Sequence, residues 1–158
     1  MSRSLGPALP ADLLAQLSQA DLESQLGRAM PFVTQDADGA PHPMLCSYLE
    51  WLAVDAETLR LAIAAGSRSA RNLEARRVGT LLVIEPARTV YVKCRARGAA
   101  RRVGDLARFT LAVEDVLDDR PAEAEGDARI ASGITYRPRP SLDAPWARAV
   151  LDALRAEG

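Results

Sequence analysis

Gly66-Ser67-Arg68-Ser69 gathers donors for an anion. Two hydroxyls and a guanidinium fall where an alternating apolar run, Leu59 to Ile63, gives way to a short charged stretch with helical spacing. A helix that starts there leaves its first amides without partners, and free amides beside an Arg fork suit a phosphate. Other chemistry-bearing residues are sparse. His42 is the only histidine, which removes His-rich metal sites and a Ser-His-Asp triad with a base to spare. Cys46 and Cys94 sit on expected strands without metal-ligand spacing. They read as reduced core thiols of a cytoplasmic protein, although sequence alone leaves a disulfide open. No side chain stands out as an acid or base, so no catalytic residue and no metal site are assigned.

Each candidate also has a plainer role. Ser67 suits a helix cap, and Arg68 a solvated cation or an ion pair with Glu74. Ser69 can sit in a first helical turn without a ligand. Asn72 is expected on the helix surface, Ser47 solvated on its strand, and His42 in an exposed loop between Pro41 and Pro43. Trp51 and Trp146 are expected as core or interface anchors.

Strands must position these residues. Residues 1–9 are expected to fray. Pro10 opens a helix carrying Leu13, Leu14 and Leu17, and Ser18 caps a second turn with Leu22 and Leu26, so helices occupy 10–27. Strand sequence begins at Phe32-Val33-Thr34, and Asp36-Ala37-Asp38-Gly39 is a tight turn. The next strand starts near Met44 and reaches Val54 as one bent strand or two. Asp55-Ala56-Glu57 turns into a half-buried strand with Leu59, Leu61 and Ile63 inward. Ser67 caps a helix through Arg77 whose inner face is Ala70 and Leu73. Thr80–Ile84 is continuously apolar, which places it in the interior or at an interface.

Glu85-Pro86-Ala87-Arg88 turns the chain. Val90, Val92, Cys94 and Ala96 then alternate with Tyr91, Lys93, Arg95 and Arg97. Phe109–Leu117 is a further strand, and 118–128 an acidic, mobile loop. Ile130–Tyr136 predicts a short strand with a bulge at Gly133. A C-terminal helix over 143–157 carries Trp146, Val150, Leu151 and Leu154 on one stripe. Strands in series with short turns predict a mainly β protein, an antiparallel barrel over about 30–136.

A chain of 158 residues suits one domain, 1–158, and buries roughly 70% of its unfolded surface. The net charge of −1 and scarce aromatics argue against general binding to nucleic acid or anionic membranes. Arg95, Arg97, Arg101 and Arg102 could line a basic stripe, but the aromatics of a base-stacking platform are missing. Lys93 is the only lysine, which leaves phosphate recognition to Arg forks. No apolar run is long enough to span a bilayer.

Taken in order, the Asp-Gly turn, the strand ending in Gly66-Ser67-Arg68-Ser69, Asn72-Leu73, Thr80–Ile84 and Arg88-Thr89-Val90-Tyr91-Val92 make a familiar series. Over residues 29–117 it resembles the pyridoxamine 5′-phosphate oxidase-like family of FMN-binding split barrels. The resemblance implies a Greek-key split β-barrel, homodimeric, with FMN in a groove between subunits. It implies that Ser67 and Arg68 meet the FMN phosphate, and Ser69 beside them is a further candidate hydroxyl. The strand Met44, Leu45, Cys46 and Ser47 would run under the flavin ring, and Thr89 would approach from the later strand. The activity implied is oxidoreduction, with hydride passing through flavin N5 to or from a small-molecule substrate. The alternative is a barrel that binds flavin, haem or deazaflavin, or no cofactor, and acts as a carrier or sensor. The chain departs from the family's oxidases at Ser69, where they carry Lys, and at Thr89, where they carry Gln. Cys46-Ser47-Tyr48 replaces a basic residue on the flavin strand. The oxidases' C-terminal Arg-Leu substrate motif is not recognisable around Arg137-Pro138-Arg139-Pro140, so the resemblance is to the family and not to the oxidase itself.

Overall fold

The computed structural model describes residues 2–86, 88–126 and 128–157. Its strands are β1 (Ser2–Ser4), β2 (Arg28–Gln35), β3 (Pro41–Ser47), β4 (Trp51–Asp55), β5 (Thr58–Ala64), β6 (Val78–Glu85), β7 (Arg88–Val103), β8 (Leu106–Asp119) and β9 (Ile134–Thr135). Its helices are α1 (Ala11–Leu17), α2 (Leu22–Gln25), α3 (Arg68–Arg76) and α4 (Pro145–Arg155). The strands form one antiparallel sheet in the order β3-β2-β6-β7-β8-β5-β4, with β1 added to β8 and β9 to β2. Among the described residues β3 and β4 do not pair with one another, so the sheet curls into a barrel that stays split.

Alternation decides which side chains fill it. Leu59, Leu61 and Ile63 of β5, Val90, Val92 and Cys94 of β7, and Phe109, Leu111 and Val113 of β8 are all at most 5% exposed. Each fully buried large side chain of this kind contributes roughly 1.5–3 kcal/mol. Phe32 and Trp51 pack T-shaped, with ring centroids 5.1 Å apart and planes at 75°, and Trp51 is fully buried, a core anchor. Gly79 is the residue that lets Phe32 in: a Cβ there would lie 2.3 Å from the ring's Cζ. α1 covers the barrel through Leu13 and Leu17, and α3 through Ala70 and Leu73. α4 packs on the outside of β5, where Ala62 meets Val150, Ala153 and Leu154. Arg60 donates to the Leu154 carbonyl at 2.8 Å, and Arg108 to that of Ala156, which satisfies the helix's last carbonyls and opposes its dipole.

Several expectations need correction. Ser2–Ser4 pairs with Asp119–Leu117 and is not frayed, because an edge of β8 is available to it; Met1 lies outside the described residues. Ser18 ends α1 and Asp21 precedes α2; the Ser18 hydroxyl turns back to donate to the Ala15 carbonyl. β2 begins at Arg28 and β3 at Pro41, earlier than expected, and His42 is thus on a strand. The stretch 44–54 is two strands, separated by a 3-10 turn at Tyr48–Glu50. β6 alternates: Leu81 and Val83 are buried, while Thr80, Leu82 and Ile84 are half-buried on the outward face. β8 persists to Asp119 and a 3-10 turn occupies Glu123–Glu125, inside the stretch expected to be a loop. Ala87 and Asp127, in the expected turn and loop, lie outside the described residues. β9 is only Ile134–Thr135, and it takes up the edge of β2 beyond β6. Trp146 is 48% exposed and leaves the α4 stripe to Ala147, Val150, Leu151, Ala153 and Leu154. Both cysteines are free and buried. Among the described residues no helix is long and apolar enough to cross a membrane.

Candidate functional site

The turn after β5 is built as the sequence predicts. Ser67 caps α3, its hydroxyl oxygen accepting from the Ala70 amide at 3.1 Å. That leaves the hydroxyl hydrogen able to donate outward. Arg77, in the left-handed region, closes the helix. Arg68 is exposed, with 61% of its side chain accessible. Ser69 turns inward and is 2% exposed, so it is not presented to solvent beside the other two.

Arg68 does not pair with Glu74, which holds Arg102 at 2.6 Å. Its guanidinium lies 3.6 Å from Asp36 Oδ2, at the start of the β2–β3 turn. His42 Nδ1 lies 3.9 Å from the same oxygen. The other oxygen, Oδ1, accepts from Asn72 Nδ2 at 2.9 Å, and that amide also donates to Thr34 Oγ1 at 3.1 Å. Asn72 is therefore buried, at 5% exposure, and not on the helix surface as expected. The Asn72 amide, followed by the charges of Arg68, His42 and Arg76, holds the Asp36 carboxyl below its ordinary range. The result is a small polar cluster that ties α3 to the tip of the β2–β3 hairpin.

β3 leads away from this cluster. It stands at the end of the strand path and among the described residues pairs with β2 alone, so one edge offers its backbone donors and acceptors. The register sets His42, Met44 and Cys46 opposite Thr34, Phe32 and Met30, facing inward. Leu45, opposite Pro31, faces outward and is 49% exposed. Ser47 is buried rather than solvated, and its backbone amide donates to Glu50 Oε2 at 2.6 Å. Burial raises the Glu50 carboxyl above its ordinary range, against that hydrogen bond. Burial, then Glu50, pushes the Cys46 thiol well up, and burial pushes Cys94 up to about 12, so neither is a ready thiolate.

Thr89 is not brought to the turn within this chain. Thr34 pairs with Gly79, but Thr89 pairs with Ile84, five residues along β6 and about 16 Å away at the rise of a strand. It lies on the outward face with Ile84, Leu82 and Thr80. A shallow groove of about 330 Å³ opens on that same face between Val33, Gln35, Val78, Thr80 and Lys93. Along the expected basic stripe, Arg95 pairs with Glu114 and Arg102 with Glu74, which offsets both charges locally.

Sequence reasoning missed Asp36, Asn72 and the polar network at the far end of β6. There the Tyr48 hydroxyl donates to Glu85 Oε1 at 2.6 Å, Gln16 donates to both, and Arg28 pairs with Glu85 at 3.2 Å. The available signal for Asn72 was its place two residues from Ala70 and next to Leu73, inside the buried arc of α3.

A family model described as pyridoxamine 5′-phosphate oxidase matches residues 21–133. No curated protein matches the chain significantly. Among solved structures, a Lactobacillus delbrueckii protein provisionally named pyridoxamine 5′-phosphate oxidase aligns with a TM-score of 0.57 at 15% identity, covering 72% of this chain and 98% of that one. Nitrilotriacetate monooxygenase component B from Mycobacterium thermoresistibile aligns with a TM-score of 0.50 at 14% identity, covering 71% and 80%. At these identities the likeness is one of fold.

Proposed function

This chain belongs to the pyridoxamine 5′-phosphate oxidase family, and on that footing we propose that it is an FMN-binding oxidoreductase acting on a small molecule. The observation that carries the reading is the exposed Arg68 guanidinium at a capped helix start, next to the free edge of β3. Arg68 and the Ser67 hydroxyl would hold the phosphate, with His42 close enough to add a donor. The free edge of β3 over Met44–Ser47 would give backbone partners to the polar rim of the flavin ring, with Met44 and Leu45 as apolar wall. Thr89 would reach the cofactor from a second copy, in a homodimer joined across the outward face. A bound flavin would supply hydride transfer at N5. The protein's part is to bind, orient and exclude water, which accords with a site lacking an obvious acid or base. The setting is cytoplasmic, and the whole chain acts as one domain.

Two tests bear on this. Protein purified without added cofactor should show flavin absorption bands, or acquire them on titration with FMN. A colourless protein that fails that titration refutes the proposal. Arg68→Ala should weaken FMN binding by about 1.5 kcal/mol, roughly tenfold, the low end for a charge-assisted hydrogen bond because Arg68 is exposed. The Arg68–Asp36 pair favours a second reading, a flavin, haem or deazaflavin carrier or sensor with a weaker phosphate grip. Failure of nicotinamide cofactors to reduce the bound flavin would favour it.

A further inference from the structure

Resting on the flavin reading, we infer that Asp36 is a built-in competitor for the phosphate at Arg68, so that it sets how far the turn prefers a phosphorylated flavin to the phosphate-free form. Its carboxylate is held and does not swing freely. Oδ1 is fixed by Asn72 Nδ2 at 2.9 Å, and Asn72 is itself fixed by Thr34 and buried. This presents Oδ2 to the two donors that a phosphate would use, the Arg68 guanidinium at 3.6 Å and the His42 ring at 3.9 Å. The Asn72 amide, then the Arg68 guanidinium, hold the carboxyl below its ordinary range. A phosphate entering the turn carries a charge of about −1.5 to −2 and must share or replace that partner beside a fixed negative charge. A flavin without the phosphate meets no such opposition. The opposite role is also physically definite: if Asp36 served to aim Arg68 at the ligand, its removal would weaken phosphate binding.

The test compares wild type with Asp36→Asn, which keeps an oxygen for Asn72 to donate to. FMN and riboflavin are titrated separately, and inorganic phosphate is used as a competitor of FMN. Asp36→Asn should tighten FMN binding about three- to tenfold, the scale of losing one like-charge contact to a dianion at an exposed site, and leave riboflavin within about twofold. Inorganic phosphate should compete at correspondingly lower concentration. In an Arg68→Ala background the gain should shrink, and an undiminished gain overturns the inference. Unchanged or weaker FMN binding by a folded Asp36→Asn protein overturns the inference. Binding of neither flavin by wild type would instead defeat the flavin reading. The inference would then stand or fall on whether inorganic phosphate raises Tm more in Asp36→Asn than in wild type. Should that variant fail to fold, the Asp36 carboxyl pKa in wild type, followed by NMR, should rise when phosphate saturates the turn, and a constant value overturns the inference.

Discussion

Gly79→Ala tests whether the core and the candidate site share one support. The added Cβ would lie 2.3 Å from Phe32 Cζ and 2.7 Å from Cε2. Ordinary carbon contacts are about 3.5–4.0 Å, so the ring must retreat by an ångström or more. It has little room to do so, being fully buried and packed T-shaped with Trp51. Overpacking of this kind costs about 1–3 kcal/mol, and the reduced freedom of the unfolded chain returns about 0.4–1 kcal/mol. A net loss of about 1–2 kcal/mol is expected, read as a lower urea midpoint with Trp fluorescence as the probe. Phe32→Leu should relieve it, so the double variant should be more stable than the two single losses predict. Because Gly79 pairs with Thr34, whose hydroxyl receives Asn72, the displacement should also weaken FMN binding. Wild-type stability in Gly79→Ala, or additivity with Phe32→Leu within about 0.3–0.5 kcal/mol, would refute the steric argument.

Three further outcomes are expected. Tyr48→Phe removes a buried hydroxyl that donates to the Glu85 carboxylate and should cost about 1.5–3 kcal/mol in urea unfolding. Glu50 is raised by burial, so the folded protein keeps its proton to higher pH than the unfolded chain, whose value is 4.5. Stability attributable to Glu50 therefore falls as pH rises from 4.5 through the raised value, and Glu50→Gln should stabilise at pH 7 but lose that advantage at pH 4 in matched urea titrations. Mixing Arg68→Ala with Thr89→Glu protein, each expected to bind FMN poorly alone, should restore roughly a quarter of the sites once C2 dimers re-pair at random; no recovery on titration would refute the contribution of Thr89 from a second copy.

Much of this was legible because alternation is a direct imprint of a half-buried strand. Leu59, Leu61 and Ile63 of β5 and the buried half of β7 follow it, with Ala62 buried from the other side by α4, and Ser67 announced α3 by its capping chemistry. The misses share a different cause. Asn72 is polar, so its burial depends on partners 38 and 36 residues away, Thr34 and Asp36, which no local pattern contains. β1 is held by an edge offered by β8, and Ser2–Ser4 is too short to show a period. Trp146 looked like an anchor by size, yet small residues such as Ala147 and Ala153 let α4 lie closer to the sheet. Asp36 was read only as part of a turn, because its role emerges when the hairpin tip folds back onto the start of α3.

The geometry also constrains how the proposed cofactor site could be complete. Arg68 and Asp36 stand at the Gly79 end of β6, and Thr89 at the Ile84 end, on the outward face with Leu82 and Thr80. Within one chain, the turn and Thr89 therefore stand about 16 Å apart along β6. In a two-fold pair the same patch meets itself, so a residue contributed in one direction is contributed in the other as well. The outward face suits such contact: Leu45 is half exposed, and Leu82 and Ile84 are only half buried, a combination that costs less when covered by another apolar surface than when left to water. β3 lies at the seam between that face and the split in the barrel. A ligand on its free edge would touch both copies, and the missing second residue would then come from the partner rather than from further along the same strand.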